Sequence, residues 1–341
     1  MPNAVLRWGP SVLAICCLGL LLLVATSAAR PAAITDIAFW GSFKILFLSI
    51  ILEAFPFILL GVLFSALLQV FVSEQWIARL TPRNPVAGVL YGSLLGLLFP
   101  LCECGMIPVV RRLIRKGLPA YIGIVYILAG PIVNPVVFAS TWSAFRTRPE
   151  LTYSRLGLAL AVSITVGLLL HRFMRTSPLK TVHGQHDHQH DHQHGHQHVH
   201  HAHRGRSRFT STLAHASDEF FEMGKYLIFG ALLTALIQTA VNRETLVTIG
   251  DHPWFSHLFM MGFAFLLSIC STSDAFVAAS FAGTFTAGPL LAFLVFGPMI
   301  DLKNTLMLLS TFRAKVVLGL IALIGSLVLI GSWLTERFYF T

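Results

Sequence analysis

The stretch FPLCECGMIPVV, residues 99–110, places two cysteines and a glutamate between two prolines in a strongly apolar chain. The sequence has 341 residues, of which 55% are hydrophobic and 11% are charged. An average soluble domain carries about 25% charged residues, so these proportions indicate an all-α polytopic membrane protein. The stretch therefore puts thiols and a carboxylate where prolines interrupt a membrane helix.

Apolar segments long enough to cross a bilayer recur along the chain, each of about 20 residues. They predict eight or nine transmembrane helices, at about residues 10–29, 42–72, 85–101, 119–142, 153–174, 217–241, 255–281, 286–311 and 313–335. The basic run RRLIRK predicts a loop at 111–118. The first segment ends in ATSAARPAA, which is typical of a signal-peptide cleavage site, although an uncleaved span is favoured.

A histidine tract divides the chain, because eleven of the fifteen histidines lie between His183 and His203. Such a composition cannot form a packed core, so residues 175–209 are predicted to be a disordered loop. Flanking basic residues predict that this loop is cytoplasmic in an inner-membrane protein. Eight basic residues are assigned to the opposite side: Arg79, Arg83, Arg146, Arg148, Arg155, Arg243, Arg313 and Lys315.

The two sides of the tract resemble each other in sequence. EAFPFILLGVLFSALLQ at 53–69 matches EMGKYLIFGALLTALIQ at 222–238 at an offset of 222 − 53 = 169. Cys270 follows Cys102 by 168 positions, and Asp301 follows Asn134 by 167. We therefore expect an N-terminal span or signal anchor at 1–35 and two four-helix repeats, at 36–174 and 210–341. Duplicated transporters bind their substrates where the repeats meet.

Four short segments interrupt the apolar pattern at corresponding positions of the two halves. They are PLCECGMIP (100–108), AGPIVNP (129–135), CSTSDAF (270–276) and FGPMIDLKN (296–304). Proline removes a backbone donor and glycine permits unusual dihedrals, so each segment predicts a broken helix at mid-membrane. Unwound backbone is tolerated in a bilayer only against protein or a wet cavity, which predicts one shared polar site.

The side chains of these segments have the chemistry of a transport site for a thiophilic substrate. Thiols suit soft metals and metalloids, and intramembrane carboxylates suit proton coupling. The predicted substrate ligands are Cys102, Cys104, Cys270, Asn134, Ser271 and Ser273. The predicted proton-coupling residues are Glu103, Asp274 and Asp301. Pairing of Asp301 with Lys303 would give that carboxylate a structural role instead, and buried cysteines are also common as plain apolar residues.

The histidine tract adds a second kind of metal chemistry, because imidazole binds zinc, nickel, copper and cobalt. Its irregular spacing predicts low-specificity binding rather than a fixed site. The low-specificity ligands are His186, His188, His190, His192, His194, His196 and His198. No cofactor is expected, and no GxxxxGK[ST] loop for ATP is present in the sequence. The net charge of +9 lies largely in short loops, so nucleic acid is not an expected partner.

FPLCECGMIPV, AGPIVNP, CSTSDAFVAASF and GPMIDLKN, in this order, resemble the predicted-permease family that includes YraQ-like proteins and ArsP organoarsenical efflux permeases. The resemblance runs from about Glu53 to the C-terminus. It implies an inner-membrane permease that exports its substrate. For the ArsP branch it implies trivalent organoarsenicals held by cysteines at the positions of Cys102, Cys104 and Cys270. Glu103 and the histidine tract depart from that branch and favour a metal cation.

Two functions from different classes remain open on the sequence. The first is a secondary exporter, not an enzyme, that moves a soft metal ion or a trivalent organoarsenical, with metal and arsenic resistance as its result. The second is a membrane-embedded dithiol redox protein, in which Cys102 and Cys104 exchange disulfides with a thioredoxin-like partner. A transporter of another small molecule, or a passive channel, is a weaker alternative.

Overall fold

The computed structural model describes residues 37–71, 73–82, 84–98, 101–173, 179, 207–240 and 253–340. Within these ranges the chain is helical and contains no β-strand, and one isolated bridge joins Leu179 to Phe312. The all-α prediction is therefore confirmed. The predicted N-terminal segment 1–35 and nearly all of the predicted loop 175–209 lie outside the described residues.

Thirteen helices follow one another in the described ranges. They are α1 (Ile37–Phe71), α2 (Glu74–Leu80), α3 (Pro85–Leu98), α4 (Glu103–Arg115), α5 (Ala120–Ala129), α6 (Pro135–Ala144), α7 (Pro149–Phe173), α8 (Ser207–Ala240), α9 (Pro253–Leu267), α10 (Asp274–Ser280), α11 (Ala287–Met299), α12 (Leu302–Thr311) and α13 (Ala314–Tyr339).

Four helical stretches of the described residues are long and apolar enough to cross a membrane. They are Phe39–Leu68, Pro149–Phe173, Ala287–Thr311 and Ala314–Tyr339. Shorter apolar helices are α3, α5, α9 and the part of α8 from Met223 to Thr239. These helices support a multi-pass membrane protein, and the number of eight or nine spans stays a prediction.

Each of the four polar segments singled out in the sequence contains a helix break. The breaks separate α3 from α4, α5 from α6, α9 from α10, and α11 from α12. Asn134 and Asp301 lie at two of them as N-caps, and Pro135 occupies the first position of α6, where its missing N–H costs nothing.

One part of the sequence prediction is wrong, because RRLIRK does not form a loop from residue 111. The helix α4 begins at Glu103 and continues to Arg115, so Cys104 and Pro108 are helical rather than unwound. Basic residues in the last turn of α4 favour this extension, because they face the negative end of the helix dipole.

The helices α3 and α4 form a hairpin, so that the start of α3 and the end of α4 lie at the same end of the molecule. A side chain at Gly88 would meet Tyr121 at the start of α5, and one at Gly96 would meet Gly130 just after its end, so α3 and α5 run parallel. By contrast, Gly123 near the start of α5 packs on the later turns of α4, against Val110. The helix α4 therefore runs opposite to α3.

The helices α9 and α10 form a second hairpin of the same kind. His257 and Ala264 of α9 pack beside Gly288 and Gly297 of α11 in the same order, so these helices are parallel. The ring of Phe281, just after α10, lies 5.7 Å from the ring of Phe263 in α9. Since α10 starts near the end of α9, it runs back along it.

Helix packing is similar in the two halves. The helix α5 contacts α3, α4 and α7, and α11 contacts the corresponding helices α9, α10 and α13. The halves also cross, since α4 packs on α12 and α10 packs on α6. The long helices depart from this pattern, because α1 packs on α4 and α8, while α8 packs on α12.

Most of the basic loops of the described chain lie at one end of the molecule. The side-chain nitrogen of Lys116 donates a hydrogen bond to Leu68 near the end of α1, so the two meet there. The ring of Tyr121 lies 4.9 Å from that of His171, and Phe312 meets Leu179 just beyond α7. Arg79, Arg313 and Lys315 therefore share the end that carries RRLIRK, and their assignment to the opposite side is wrong.

Candidate functional site

The starts of α4 and α12 meet at what we call the thiol crossing, formed by Cys102, Glu103, Cys104, Asp301 and Lys303. Glu103 and Asp301 are each 1% exposed, and Cys104 is 3% exposed. Cys102 is the N-cap of α4 in an extended conformation and remains partly exposed. Two helix breaks, one from each half, thus bring thiols and charged groups together inside the protein.

Three free thiols belong to this region. The side chains of Cys102 and Cys104 interact with each other, and Cys270 interacts electrostatically with Glu103. The hydroxyl of Thr272 donates to the sulfur of Cys270 at 3.6 Å. Pro108 lacks the N–H that would bind the carbonyl of Cys104 in a regular helix, so that carbonyl keeps a free acceptor. The structure brings the predicted soft ligands into one neighbourhood.

Ser268 connects the α9–α10 hairpin to the start of α12. Its φ of +48° is the one positive value at a non-glycine residue among the described ranges. The hydroxyl of Ser268 accepts from the backbone N–H of Lys303 at 3.1 Å, and its carbonyl accepts from the ammonium of Lys303 at 3.2 Å. It also interacts with the side chain of Asp301. This strained residue therefore helps to orient both charged groups of α12, and no pattern in the sequence indicated it.

Several buried polar atoms at the thiol crossing have no hydrogen-bond partner in the structure. They include one carboxylate oxygen each of Glu103 and Asp301 and both side-chain amide atoms of Asn304. Buried polar groups are almost always paired with protein, water or a ligand. The concentration of unpaired atoms here fits a site that takes up a polar ligand or a proton.

A second meeting point, which we call the arginine crossing, lies where α10 packs on α6 and Asp274 of α10 pairs with Arg155 of α7. Arg155 of α7 forms a buried ion pair of 2.6 Å with Asp274. It also donates to the hydroxyl of Thr141 at 2.6 Å and to the carbonyl of Ser271 at 3.4 Å. This network joins the two halves through a charge pair that is closed off from solvent.

Arg155 is the residue of this region that the sequence analysis missed. Its place near the start of an apolar span counts it among the basic residues on the side opposite to the histidine tract, whereas it is 2% exposed and buried in the protein. The available signal was an arginine six positions inside α7, beyond Pro149. Asp274, predicted as a proton-coupling residue, is engaged in this ion pair.

The remaining predicted ligands have mixed positions. The side chain of Asn134 accepts from the backbone N–H of Val136 at 2.9 Å and so caps α6. Ser271 is buried, and Ser273 is the N-cap of α10 without a side-chain cap hydrogen bond. A role of these residues in substrate binding stays a prediction.

Metal ligation also stays a prediction. Within the described ranges, no three or more His, Cys, Asp or Glu side chains are grouped so as to hold a metal ion. The thiols lie in the same region, but in this structure they do not form a complete set of metal ligands among the described residues. The predicted low-specificity ligands from His186 to His198 lie outside the described residues.

The sequence of the chain matches a known family over most of its length. The model of the ArsP-type family, described as predicted permease, matches residues 39–337. The chain belongs to this permease family. The match includes both crossings and all four breaks, so the resemblance found from the four motifs is confirmed.

Three proteins from different bacteria are similar in sequence to this chain. The chain is 48% identical to the UPF0718 protein YcgR of Bacillus subtilis over 292 residues, which cover 85% of this chain and 96% of the relative. It is 37% identical, over 84% of this chain and 92% of the relative, to a Streptococcus mutans protein named as a candidate subunit of a two-component membrane permease complex. It is 24% identical to the UPF0718 protein YraQ of Escherichia coli, over 35% of this chain and 34% of the relative. No solved structure matches the chain.

Proposed function

We propose that this permease is a secondary exporter, not an enzyme, that binds a thiophilic substrate at the thiol crossing. The substrate is a soft metal ion or a trivalent organoarsenical. The observation that carries the proposal is that Cys102, Cys104 and Cys270 lie at helix breaks around the same buried charged groups, Glu103 and Lys303. Soft thiolate ligands select such substrates over hard cations.

We also propose that the halves are inverted repeats that rock against each other. The corresponding helices contact corresponding partners, and both halves contain a hairpin followed by a broken helix. Each hairpin returns to the side that it left, so in this proposal each half crosses the membrane three times rather than the four expected from the sequence, as α1, α5–α6 and α7, and as α8, α11–α12 and α13. An odd number of crossings reverses the orientation of the second half, which is typical of alternating-access transporters.

Export would draw on a proton gradient through the buried carboxylates. Glu103, Asp274 and Asp301 are the proposed coupling residues, and each keeps a side-chain oxygen without a hydrogen-bond partner. Asp274 is the least free of them, because Arg155 already binds its other oxygen. Asp301 and Glu103 are therefore the stronger candidates for exchanging a proton with substrate.

The proposed orientation places the basic end of the molecule in the cytoplasm of a bacterium, with the chain in the inner membrane. Arg79, Lys116, Arg313 and Lys315 lie near this end, as does the end of α7 that leads into the histidine tract. Positive charge near short loops favours the cytoplasmic side. The histidine tract would then buffer metal on the side from which the substrate is exported.

A second polypeptide is a proposed partner. The Streptococcus mutans relative is named as a candidate subunit of a two-component permease complex, and its similarity covers most of both chains. We extend this to the present chain as a proposal. Co-purification of the tagged protein from its native membrane, with the copy number of any associated membrane protein, tests it.

The dithiol redox reading keeps one observation in its favour, since the side chains of Cys102 and Cys104 lie close enough to interact with each other. A thioredoxin-like partner would form a mixed disulfide with one of them. Trapping such a disulfide with a resolving-cysteine variant of thioredoxin would favour this second function. A permease without redox activity should yield no trapped species.

Export is tested by the double variant Cys102→Ser, Cys104→Ser in a metal-sensitive host. We expect the wild-type protein to lower the intracellular content of at least one of zinc, cadmium, arsenite or methylarsenite, and the variant to lose this effect. Cys16→Ser, Cys17→Ser is the matched control, because it removes two thiols outside the proposed site. Unchanged resistance of the site variant to all four species would remove the thiol mechanism.

A further inference from the structure

Lys303 is a buried lysine whose ammonium group lies at the thiol crossing. It occupies the first turn of α12 and is 5% exposed. Its ammonium donates to the carbonyl of Ser268 at 3.2 Å. Burial of a charge is costly unless other charges compensate for it, so this position requires a reason.

The surroundings of the ammonium are anionic but not in direct contact with it. Lys303 interacts electrostatically with Cys104, Asp301, Glu103 and Cys270. Within the described part of the chain, it forms no ion pair shorter than 4.0 Å. The lysine therefore stands among two carboxylates and two thiols without being tied to any one of them.

A charge count shows what the lysine does for the empty site. With ionised side chains, Glu103 and Asp301 contribute two negative charges and Lys303 contributes one positive charge. The pair of Arg155 and Asp274 is neutral and leaves this count unchanged. Without the lysine, the thiol crossing would hold two uncompensated carboxylates in a buried place.

The other half of the chain shows that the fold does not need a lysine at this position. Asp301 follows Asn134 by 167 positions, and the same offset relates Lys303 to Val136. Val136 lies in the first turn of α6. That half-helix forms with the same type of N-cap. The cation at 303 is thus a property of the thiol crossing.

We propose that Lys303 is a tethered counter-cation, which offsets one of the two negative charges of the empty site and competes with the substrate for it. The substrate is then positively charged in its bound form, which selects a metal cation over a neutral organoarsenical. This inference rests on the proposed function. Binding of a cation displaces the ammonium from the carboxylates and thiols, and departure of the cation lets it return.

Two thiol-binding probes of different charge separate this role from a structural one. Cadmium is a soft dication, and phenylarsine oxide is neutral and condenses with two thiols to release one water molecule. Binding of each is measured on the purified full-length protein in nanodiscs. The variants are Lys303→Gln and Lys303→Arg, with Lys315→Gln as the control at an exposed lysine.

The counter-cation role predicts that Lys303→Gln binds cadmium roughly tenfold more tightly than wild type, because a nearby positive charge is removed. Binding of phenylarsine oxide should change less than about twofold, since this probe carries no charge. Lys303→Arg and Lys315→Gln should bind both probes like wild type. If Lys303→Gln weakens both probes alike, or changes neither, the lysine is a structural anchor and the inference is wrong.

The same measurements keep this inference apart from the proposed function. Loss of both probes in Cys102→Ser, Cys104→Ser supports the thiol site whatever Lys303→Gln does. If wild type binds neither probe, the thiol site fails, and the charge role is decided instead by the rate at which the partly exposed Cys102 forms a mixed disulfide with a methanethiosulfonate, which releases methanesulfinate. Lys303→Gln should then react faster with a cationic than with a neutral methanethiosulfonate, by a ratio about fivefold above wild type. An unchanged ratio would overturn the counter-cation role.

Discussion

The two crossings are built from corresponding helices, yet they hold charge in different ways. At the arginine crossing, Arg155 contacts Asp274 at 2.6 Å and is fixed by two further hydrogen bonds. At the thiol crossing, Lys303 faces two carboxylates and two thiols and contacts a backbone carbonyl instead. A closed pair fixes the geometry of the protein, whereas dispersed charges leave positions that a substrate or a proton can occupy.

The crossings also differ in how they are covered. The helices α1 and α8 pack together and lie on the thiol crossing, α1 through α4 and α8 through α12. Beside the arginine crossing, Trp142, Tyr153 and Phe276 are more than 40% exposed within the single chain. The two crossings are therefore in different environments, one covered by long helices and the other beside exposed aromatic side chains. A transporter that works by alternating access would show such a difference in each of its states.

The largest expected effect on stability comes from breaking the buried ion pair of Arg155 and Asp274. Asp274→Ala should lower the free energy of unfolding by about 3–5 kcal/mol, because it leaves the buried guanidinium of Arg155 without its counter-charge. Asp301→Ala at the thiol crossing should cost only about 1 kcal/mol, mainly for the lost helix cap. Denaturant unfolding in detergent measures both.

The double variant Arg155→Met, Asp274→Leu is the control for that comparison. Replacing both charges by apolar groups of similar size should recover most of the lost stability. Equal losses in Asp274→Ala and Asp301→Ala would contradict the difference drawn between the crossings.

The next effect concerns how α1 and α8 approach the centre. A methyl group at Gly61 of α1 would come 2.5 Å from the carbonyl oxygen of Gly105 in α4, whereas one at Gly230 of α8 would lie 3.2 Å from Lys303. Gly61→Ala should therefore destabilise by about 1–3 kcal/mol through overpacking, and Gly230→Ala by less.

Thermal unfolding compares these two variants, with Gly157→Ala as the control because nothing lies within 4 Å of that position. A larger loss for Gly230→Ala than for Gly61→Ala would show that α8, and not α1, makes the close contact with the core.

A smaller effect is expected at Ser268, which holds Lys303 and Asp301 from a left-handed backbone conformation. Ser268→Ala should cost about 1–2 kcal/mol through lost hydrogen bonds to a buried site. Ser268→Gly should cost less, because glycine relieves the strain of a positive φ while losing the same hydroxyl. Equal stability of the two variants, measured by thermal unfolding, would argue against strain at this residue.

The smallest effect on stability accompanies a test of sidedness. Lys315→Cys and Arg146→Cys replace exposed residues at opposite ends of the described helices and should leave unfolding within about 0.5 kcal/mol of wild type. In intact cells, a membrane-impermeant thiol reagent should label Arg146→Cys and not Lys315→Cys. Labelling of both from the same side would contradict the proposed topology.

The breaks in the helices could be predicted from sequence because proline, glycine and helix-capping residues act locally. Pro135 after Asn134, and Asp301 ahead of α12, specify a helix start with little help from the rest of the chain. The near-constant offset between the two halves, which is 168 positions for Cys102 and Cys270, also predicted which breaks occupy corresponding positions.

The long-range contacts could not be predicted in the same way. Arg155 looks like a charge at the end of a span until Asp274, 119 positions later, is placed beside it. The relative direction of neighbouring helices depends on close glycine contacts such as that of Gly96 with Gly130. These contacts are properties of the packed structure and leave no local pattern in the sequence.

The most direct test of the account is X-ray absorption of cadmium bound to the purified protein in nanodiscs, compared between wild type and Cys102→Ser, Cys104→Ser. The account predicts two or three sulfur neighbours around cadmium in the wild-type protein, and loss of at least two of them in the variant. A first shell of nitrogen and oxygen only, or a sulfur shell that persists in the variant, would contradict binding at the thiol crossing.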